Sequence, residues 1–340
     1  MIYSTIAPTP LLHIPLPIRL GIKKPAGIFA FTPDDKLLLT VHKDEGGILW
    51  DLTLIKRPRK LDFKQDNSIS RQPITSAGLL GEQRGFILGF GNNHPAQHHE
   101  IVDESPGFRV SKHTLPAAND VAISRDGRTI AFSTGSSIEI WDGTTIELKR
   151  VLLANAIPSS PFEKVVISGD SRHAAAVNAT GQLTVWGIDD DFYKVSPNQE
   201  FGLNLGKGWQ PVGVGLDHIF AIAALRQSAP PGGQANWTLV TWGFAYQGPD
   251  RTLYHKDFPP CALACVPPIP DFNIMLNAQG RVMGSDMTMF PLYFTDKGAS
   301  KKGKVVSCSI SGSANMLAVA RSNGNLTVWK LHLSEASSVC

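Results

Sequence analysis

The residues of this 340-residue chain best suited to chemistry are its histidines and cysteines. Histidine is densest at His94, His98 and His99 beside Glu100, where imidazoles four residues apart plus a carboxylate make a donor set suited to zinc or copper. Spacing of four gathers ligands on a helix, however, and the whole segment His94-Pro95-Ala96-Gln97-His98-His99-Glu100 reads as a flexible, solvated hairpin, so no metal is expected there. Cys261 and Cys265 lie an even number apart, so a strand would put both on one face, as a buried pair of free thiols. With Cys308 and Cys340 they make four cysteines, too few and too uneven for a disulfide framework, which fits a reducing compartment.

Two further segments carry partial motifs. Gly169-Asp170-Ser171-Arg172-His173 lacks the final glycine of a nucleophile elbow and reads as a turn between strands. Gly202 to Lys207 (GLNLGK) has three residues between its glycines where a phosphate loop needs four, and no Ser or Thr follows the lysine. Neither supports catalysis, and no catalytic, cofactor or metal residue is assigned.

One basic cluster stands out, Lys56-Arg57-Pro58-Arg59-Lys60, where the proline keeps the run extended and exposed. Lys56, Arg57, Arg59 and Lys60 suit a nuclear-import signal or an anionic-ligand patch, against the plainer reading of a solvated outer loop. The net charge of +3 is too small for the broad positive field of a dedicated nucleic-acid binder. The start, Met1 to Pro8, has neither the basic residues nor the apolar run of a secretory signal, and no stretch reaches the 18 apolar residues of a membrane helix. The expected location is nuclear or cytoplasmic, with no membrane role and no evident small-molecule substrate.

The elements that would position these residues repeat along the chain. Ala26 to Leu52, Asn119 to Asp142, Glu163 to Ile188 and Val305 to Leu331 each read as strand, polar turn, apolar strand, Gly-containing turn, and a strand ending in Trp. Alternation such as Val121, Ile123 and Ile130, Phe132 has the period of two that turns one strand face into a core. Turns such as Arg125-Asp126-Gly127 and Ser322-Asn323-Gly324 reverse the chain tightly, so each unit is an antiparallel meander.

Spacing sets the count. Trp50, Trp141, Trp186, Trp242 and Trp329 are separated by 91, 45, 56 and 87 residues, so the long intervals each conceal one unit without Trp. Those units lie at Ile74 to Asp103 and Ala262 to Asp286, and the 56-residue interval carries an insertion, Gln227 to Ala235, too rich in Pro and Gly for strand. Seven units result, near 26–60, 74–113, 118–152, 162–195, 209–256, 262–294 and 305–331.

The chain resembles the WD40-repeat family over nearly its full length, with Trp50-Asp51 and Trp141-Asp142 as the repeat-ending dipeptide, and Trp186 and Trp329 lacking the Asp. It has no Gly-His dipeptide, so the buried His network that typical members build in each blade is expected to be absent or partial, with apolar packing holding the blades. The resemblance implies one all-β domain over 1–333, a seven-bladed β-propeller. It also implies closure by an N-terminal strand within 11–20, where prolines suit an outer edge, followed by a short tail at 334–340.

The resemblance further implies a non-catalytic scaffold for protein partners in a multiprotein complex, similar to small propeller subunits of nuclear-pore or ribosome-assembly complexes. The alternatives are a nucleic-acid-associated propeller using its basic loops, and a propeller hydrolase or lactonase with a site at the central channel. Against the last, the inner strands Ile28 to Phe31, Val121 to Ile123, Val165 to Ile167 and Ser307 to Ser309 offer no converging carboxylate or histidine. Two insertions on one face, carrying His94, His98 and His99 and then Gln227, Gln234 and nearby Trp237, are the expected partner surface.

Overall fold

The computed structural model describes residues 6–14, 25–42, 46–53, 59–61, 74–81, 85–91, 94–102, 107–110, 113, 115–153, 160–168, 170–178, 180, 182–188, the strands between 199 and 292, 305–311 and 315–333. Strand β1 (Ile6–Ile14) precedes blade 1, which is β2 (Ala26–Phe31), β3 (Leu37–His42), β4 (Gly46–Asp51) and β5 (Arg59–Leu61). Blade 2 is β6 (Ser76–Leu79), β7 (Gly85–Gly89), β8 (Gln97–Val102) and β9 (Gly107–Val110). Blade 3 is β10 (Val121–Ile123), β11 (Thr129–Ser133), β12 (Ser137–Asp142) and β13 (Glu147–Leu153). Blade 4 is β14 (Phe162–Ile167), β15 (His173–Asn178), β16 (Leu183–Gly187) and β17 (Gln199–Phe201).

Blade 5 is β18 (Trp209–Leu216), β19 (Phe220–Gln227), β20 (Asn236–Gly243) and β21 (Pro249–Tyr254). Blade 6 is β22 (Pro260–Cys265), β23 (Asn273–Asn277), β24 (Val282–Ser285) and β25 (Phe290–Leu292). Blade 7 is β26 (Val305–Ile310), β27 (Met316–Arg321) and β28 (Leu326–Leu333), with β1 as its fourth strand. The first strands touch in a closed circuit, β2 to β6, β10, β14, β18, β22, β26 and back to β2, and so form the inner wall of a ring.

Middle strands are buried on both faces because each blade is sandwiched between two others. Leu37 to His42 in β3 and Gly85 to Gly89 in β7 are buried throughout. Strands covered on both sides read as nearly continuous apolar runs, whatever the sheet type. Alternation survives where the two faces meet different neighbours. In blade 3, Ile130 and Phe132 pack toward blade 2 with Leu80 and Ile87, whereas Ile138 and Ile140 pack toward blade 4 with Phe162 and Trp186.

The turn between first and second strands follows one local rule. In blade 3, Thr129 N donates to Ser124 Oγ at 2.9 Å and Arg128 N donates to Asp126 Oδ1 at 3.1 Å. Blade 4 repeats this with His173 N to Ser168 Oγ at 2.9 Å and Arg172 N to Asp170 Oδ1 at 3.0 Å, and blade 1 with Leu37 N to Thr32 Oγ1 at 2.9 Å and Lys36 N to Asp34 Oδ1 at 3.2 Å. A Ser or Thr followed two residues later by Asp therefore closes these turns by satisfying backbone donors that the reversal would strand. Gly127 makes the blade 3 turn possible. Its φ is +70°, and a Cβ there would lie 2.3 Å from Gly81 N in the adjoining turn of blade 2.

The N-terminal strand runs earlier than the expected span of 11–20. It pairs antiparallel with β28 from Ile6 opposite Leu333 to Ile14 opposite Leu326, with a register shift between Pro10 and Leu12. Residues two apart in a strand turn their N–H groups the same way, so Pro8 and Pro10 remove donors from one edge, as an outermost strand tolerates.

The tryptophans do not share one polar network. Trp50 Nε1 donates to Thr40 Oγ1 at 3.0 Å, and Thr40 Oγ1 lies 3.1 Å from His42 Nε2, a buried chain within blade 1. Trp141 Nε1 instead donates to Glu139 Oε2 at 3.0 Å, and Trp186 Nε1 to the Leu153 carbonyl of the preceding blade at 2.9 Å. Edge-to-face packing of Phe132 on Trp141 and of Phe162 on Trp186, with ring centroids 5.9 and 5.6 Å apart, accompanies both.

Candidate functional site

Polar groups beside the inner wall join blades. Asp120 is 6% exposed and precedes β10. Its Oδ2 accepts from Val165 N at 3.1 Å and its Oδ1 from Lys164 Nζ at 3.3 Å, both on β14 of the next blade. Asn119 Nδ2 donates to the Phe162 carbonyl at 3.0 Å beside them. Between blades 7 and 1, Ser307 Oγ donates to the Ala26 carbonyl at 2.6 Å. Glu163 is half-buried next to the Asp120 clip, and desolvation raises its carboxyl while Lys164 opposes the shift.

The segment with part of a nucleophile elbow is a structural turn. Ser168 Oγ donates to Asp170 Oδ1 at 2.5 Å. Burial works to raise the Asp170 carboxyl, but hydrogen bonds from His173, Ser168 and the Arg172 backbone hold it well below the usual carboxylate range. Asp142 has the same character. A hydrogen bond from Lys149 Nζ, which lies 2.8 Å from Oδ2, brings its carboxyl down to about 2 against some desolvation, helped by the Thr144 and Thr145 amides. These carboxylates accept local donors and do not converge on a common space.

The histidine segment departs from expectation. His98 and His99 lie in β8, 6% and 0% exposed, and are not part of a solvated hairpin. The reason is their place in the third strand of a blade, where both faces meet neighbouring layers. His99 stacks on Phe86 with ring centroids 4.9 Å apart and planes 11° apart. Gly85 admits the pair, since a Cβ there would lie 2.3 Å from the His99 carbonyl oxygen and 2.9 Å from His98 Nε2. Burial lowers the His98 imidazole below its ordinary value, with Glu100 raising it and His113 lowering it further. Only His94 stays in the loop, half-buried, its N–H donating to the Gly91 carbonyl at 3.0 Å. Among the described residues no three metal-ligating side chains are placed to hold an ion.

Of the basic cluster, Arg59 and Lys60 lie on β5, opposite Leu49 and Ile48, while Lys56 and Arg57 fall outside the described residues. Gln227 ends β19 opposite Asn236, Trp237 lies on β20 opposite Arg226, and Gln234 falls outside. Gly202 to Lys207 and the 334–340 tail also fall outside. Cys261 and Cys265 are both in β22, and Cys308 is half-buried and in no disulfide.

Sequence reasoning missed the Asp120 clip and the rim of blade 3. A signal for the clip existed, because Asn119-Asp120 stands directly before an inner strand. The rim is more telling. Leu148, Val151 and Leu153 are 50%, 44% and 62% exposed on β13, the outer strand of blade 3.

Seven four-stranded antiparallel sheets whose first strands close on themselves define a β-propeller. No protein-family model matches the chain, and no curated protein matches it. Among solved structures it is similar to the Pan2 WD40 domain of Neurospora crassa, at 14% identity and a TM-score of 0.62, covering 95% of each chain. It is equally similar to a chain in a crystal structure of the mitotic checkpoint complex, at 12% identity and a TM-score of 0.62, covering 95% of this chain and 96% of that one. The fold is that of a WD40 propeller.

Proposed function

We propose that this protein is a non-catalytic scaffold that docks protein segments and works as a subunit of a larger assembly. The observation that carries the reading is how its polar and apolar groups divide. Buried Asp120 and half-buried Lys164, beside the inner wall, join one blade to the next, whereas three of the four exposed large apolar side chains among the described residues, Leu148, Val151 and Leu153, collect on an outer edge. A WD40 propeller with such a division suits binding better than chemistry, although fold alone never assigns function. One similar structure lends support, because it was solved within a complex. Native purification of the tagged protein followed by mass spectrometry tests this. Stoichiometric partners are expected, and a protein recovered alone under mild conditions overturns the reading.

Two finer statements belong to the same proposal. The run Lys56 to Lys60 supports nuclear residence, and charge reversal of Lys56, Arg57, Arg59 and Lys60 should abolish nuclear accumulation; unaltered localisation removes that argument. The loops joining second to third strands in blades 2 and 5 supply a partner face at His94, Gln227 and Gln234, next to Trp237 on β20. Deleting Ser228 to Gln234 should release at least one copurifying protein, and retention of all of them refutes this assignment.

A further inference from the structure

An outermost strand with only water on one side should present polar residues there. β13 does not, and the cause is its register. Trp141 stands opposite Leu148, Glu139 opposite Val151 and Ser137 opposite Leu153, with a shift that leaves Lys149 unpaired. Directly opposed residues share a face, so this bulge rotates Leu148 onto the side of Val151 and Leu153. Without it Leu148 would lie with Arg150 and Leu152, and Leu152 is buried against blade 4. The three exposed side chains therefore form one stripe on the side facing blade 2, continuous with half-buried Trp141, which packs on the core shared by blades 2 and 3.

One charge sits beside this stripe. Glu139 is half-buried, level with Val151 at the middle of the stripe, and accepts a hydrogen bond from Trp141 Nε1 at 3.0 Å. No cation is paired with it among the described residues, whereas neighbouring Lys149 is held by Asp142 at 2.8 Å and Arg150 reaches the Ile188 carbonyl at 3.4 Å. On its outer side β13 pairs with no described strand, so it offers an open ladder edge.

We propose that β13 docks an extended segment of a partner protein. The segment adds as a fifth strand to blade 3, lays alternate apolar side chains beside Leu148, Val151 and Leu153, and carries one Lys or Arg that reaches Glu139. Strand addition supplies affinity through main-chain hydrogen bonds, while the stripe and the lone carboxylate supply register and selectivity. The proposal rests on the scaffold reading above and names the chemistry of one partner.

Fluorescence anisotropy with labelled synthetic peptides tests it on the full chain. The probe has valine at alternate positions and one central arginine; controls carry glutamate in place of the arginine, or N-methyl groups on alternate backbone amides to block ladder bonds. The arginine peptide is expected to bind, both controls to bind at least about tenfold more weakly, and Val151→Glu or Leu153→Glu to weaken the arginine peptide by a similar factor. Glu139→Lys should reverse the preference toward the glutamate peptide. Failure of the arginine peptide to bind, or binding indifferent to Val151→Glu and Leu153→Glu, overturns the proposal. So does a dimer of the wild type dissolved by Leu153→Glu, which would assign the stripe to a second copy. If the peptide fails while native purification recovers the same partners with wild type and Val151→Glu, the scaffold reading stands and only this site falls.

Discussion

Replacing Asp120 with alanine should be among the most destabilising single changes at a polar residue in this protein. Its carboxylate is 6% exposed and accepts the Val165 amide of the next blade at 3.1 Å and Lys164 Nζ at 3.3 Å. Truncation strands the buried Val165 N–H, which costs about 1–3 kcal/mol. It also removes an ion pair whose lysine side chain is 29% exposed, worth about 1 kcal/mol at most after solvent screening. The expected loss for Asp120→Ala is therefore about 2–3 kcal/mol. Asp120→Asn keeps an acceptor for the amide and should cost about 1 kcal/mol, and Lys164→Met, which leaves that bond in place, a similar amount. Urea unfolding followed by tryptophan fluorescence reads all three from shifts in midpoint at unchanged slope. Lys164→Met matching or exceeding Asp120→Ala, or a cost below about 0.5 kcal/mol for Asp120→Ala, would refute the view that the amide clip holds blades 3 and 4 together.

Other perturbations separate further parts of the structure. Removing residues 1–14 strips β1 from β28 and should lower the melting temperature sharply, read by circular dichroism; an unchanged transition would mean that pairing contributes nothing. Acidification should destabilise the protein through His98. Its folded imidazole lies below the ordinary value of 6.5 because of burial, so as pH falls through 6.5 the unfolded chain takes up a proton that the folded chain refuses. The contribution of His98 to stability is thus complete above about pH 6.5 and is lost below it, and His98→Leu should flatten that decline in melts from pH 7.5 to 5. An identical slope in the variant would exclude His98 as the source. Gly127→Ala imposes a left-handed conformation on a residue with a Cβ and drives that atom into the Gly81 backbone, so a loss of at least about 2 kcal/mol is expected in the same urea assay.

Much of the architecture was legible because its causes are local. Alternation in Val121 and Ile123 and glycine turns such as Arg125-Asp126-Gly127 act within one hairpin, and the spacing of five tryptophans repeats that local unit along the chain. The histidine segment shows where local reading fails. His94 to His99 is polar enough to be a loop, and nothing in it reveals that the chain enters a strand at Gln97, with His98 and His99 covered by Phe86 and its neighbours. The Ser-x-Asp and Thr-x-Asp turns were visible as letters, yet their role depends on which backbone amides the folded chain turns toward the hydroxyl and carboxylate.

By itself the sequence determined repeated three-stranded meanders and where most of those strands run, since period-two burial and turn chemistry need only adjacent residues. The tertiary structure decided what lies between blades and at their edges. Asp120 meets Val165 across 45 residues of chain, and no spacing rule within a blade anticipates that contact. The exposed stripe on β13 likewise depends on one unpaired residue, Lys149, because a single step of register exchanges the faces of a strand. Strand identity is a local preference, whereas register and inter-blade pairing are settled only when the neighbouring layers close around them.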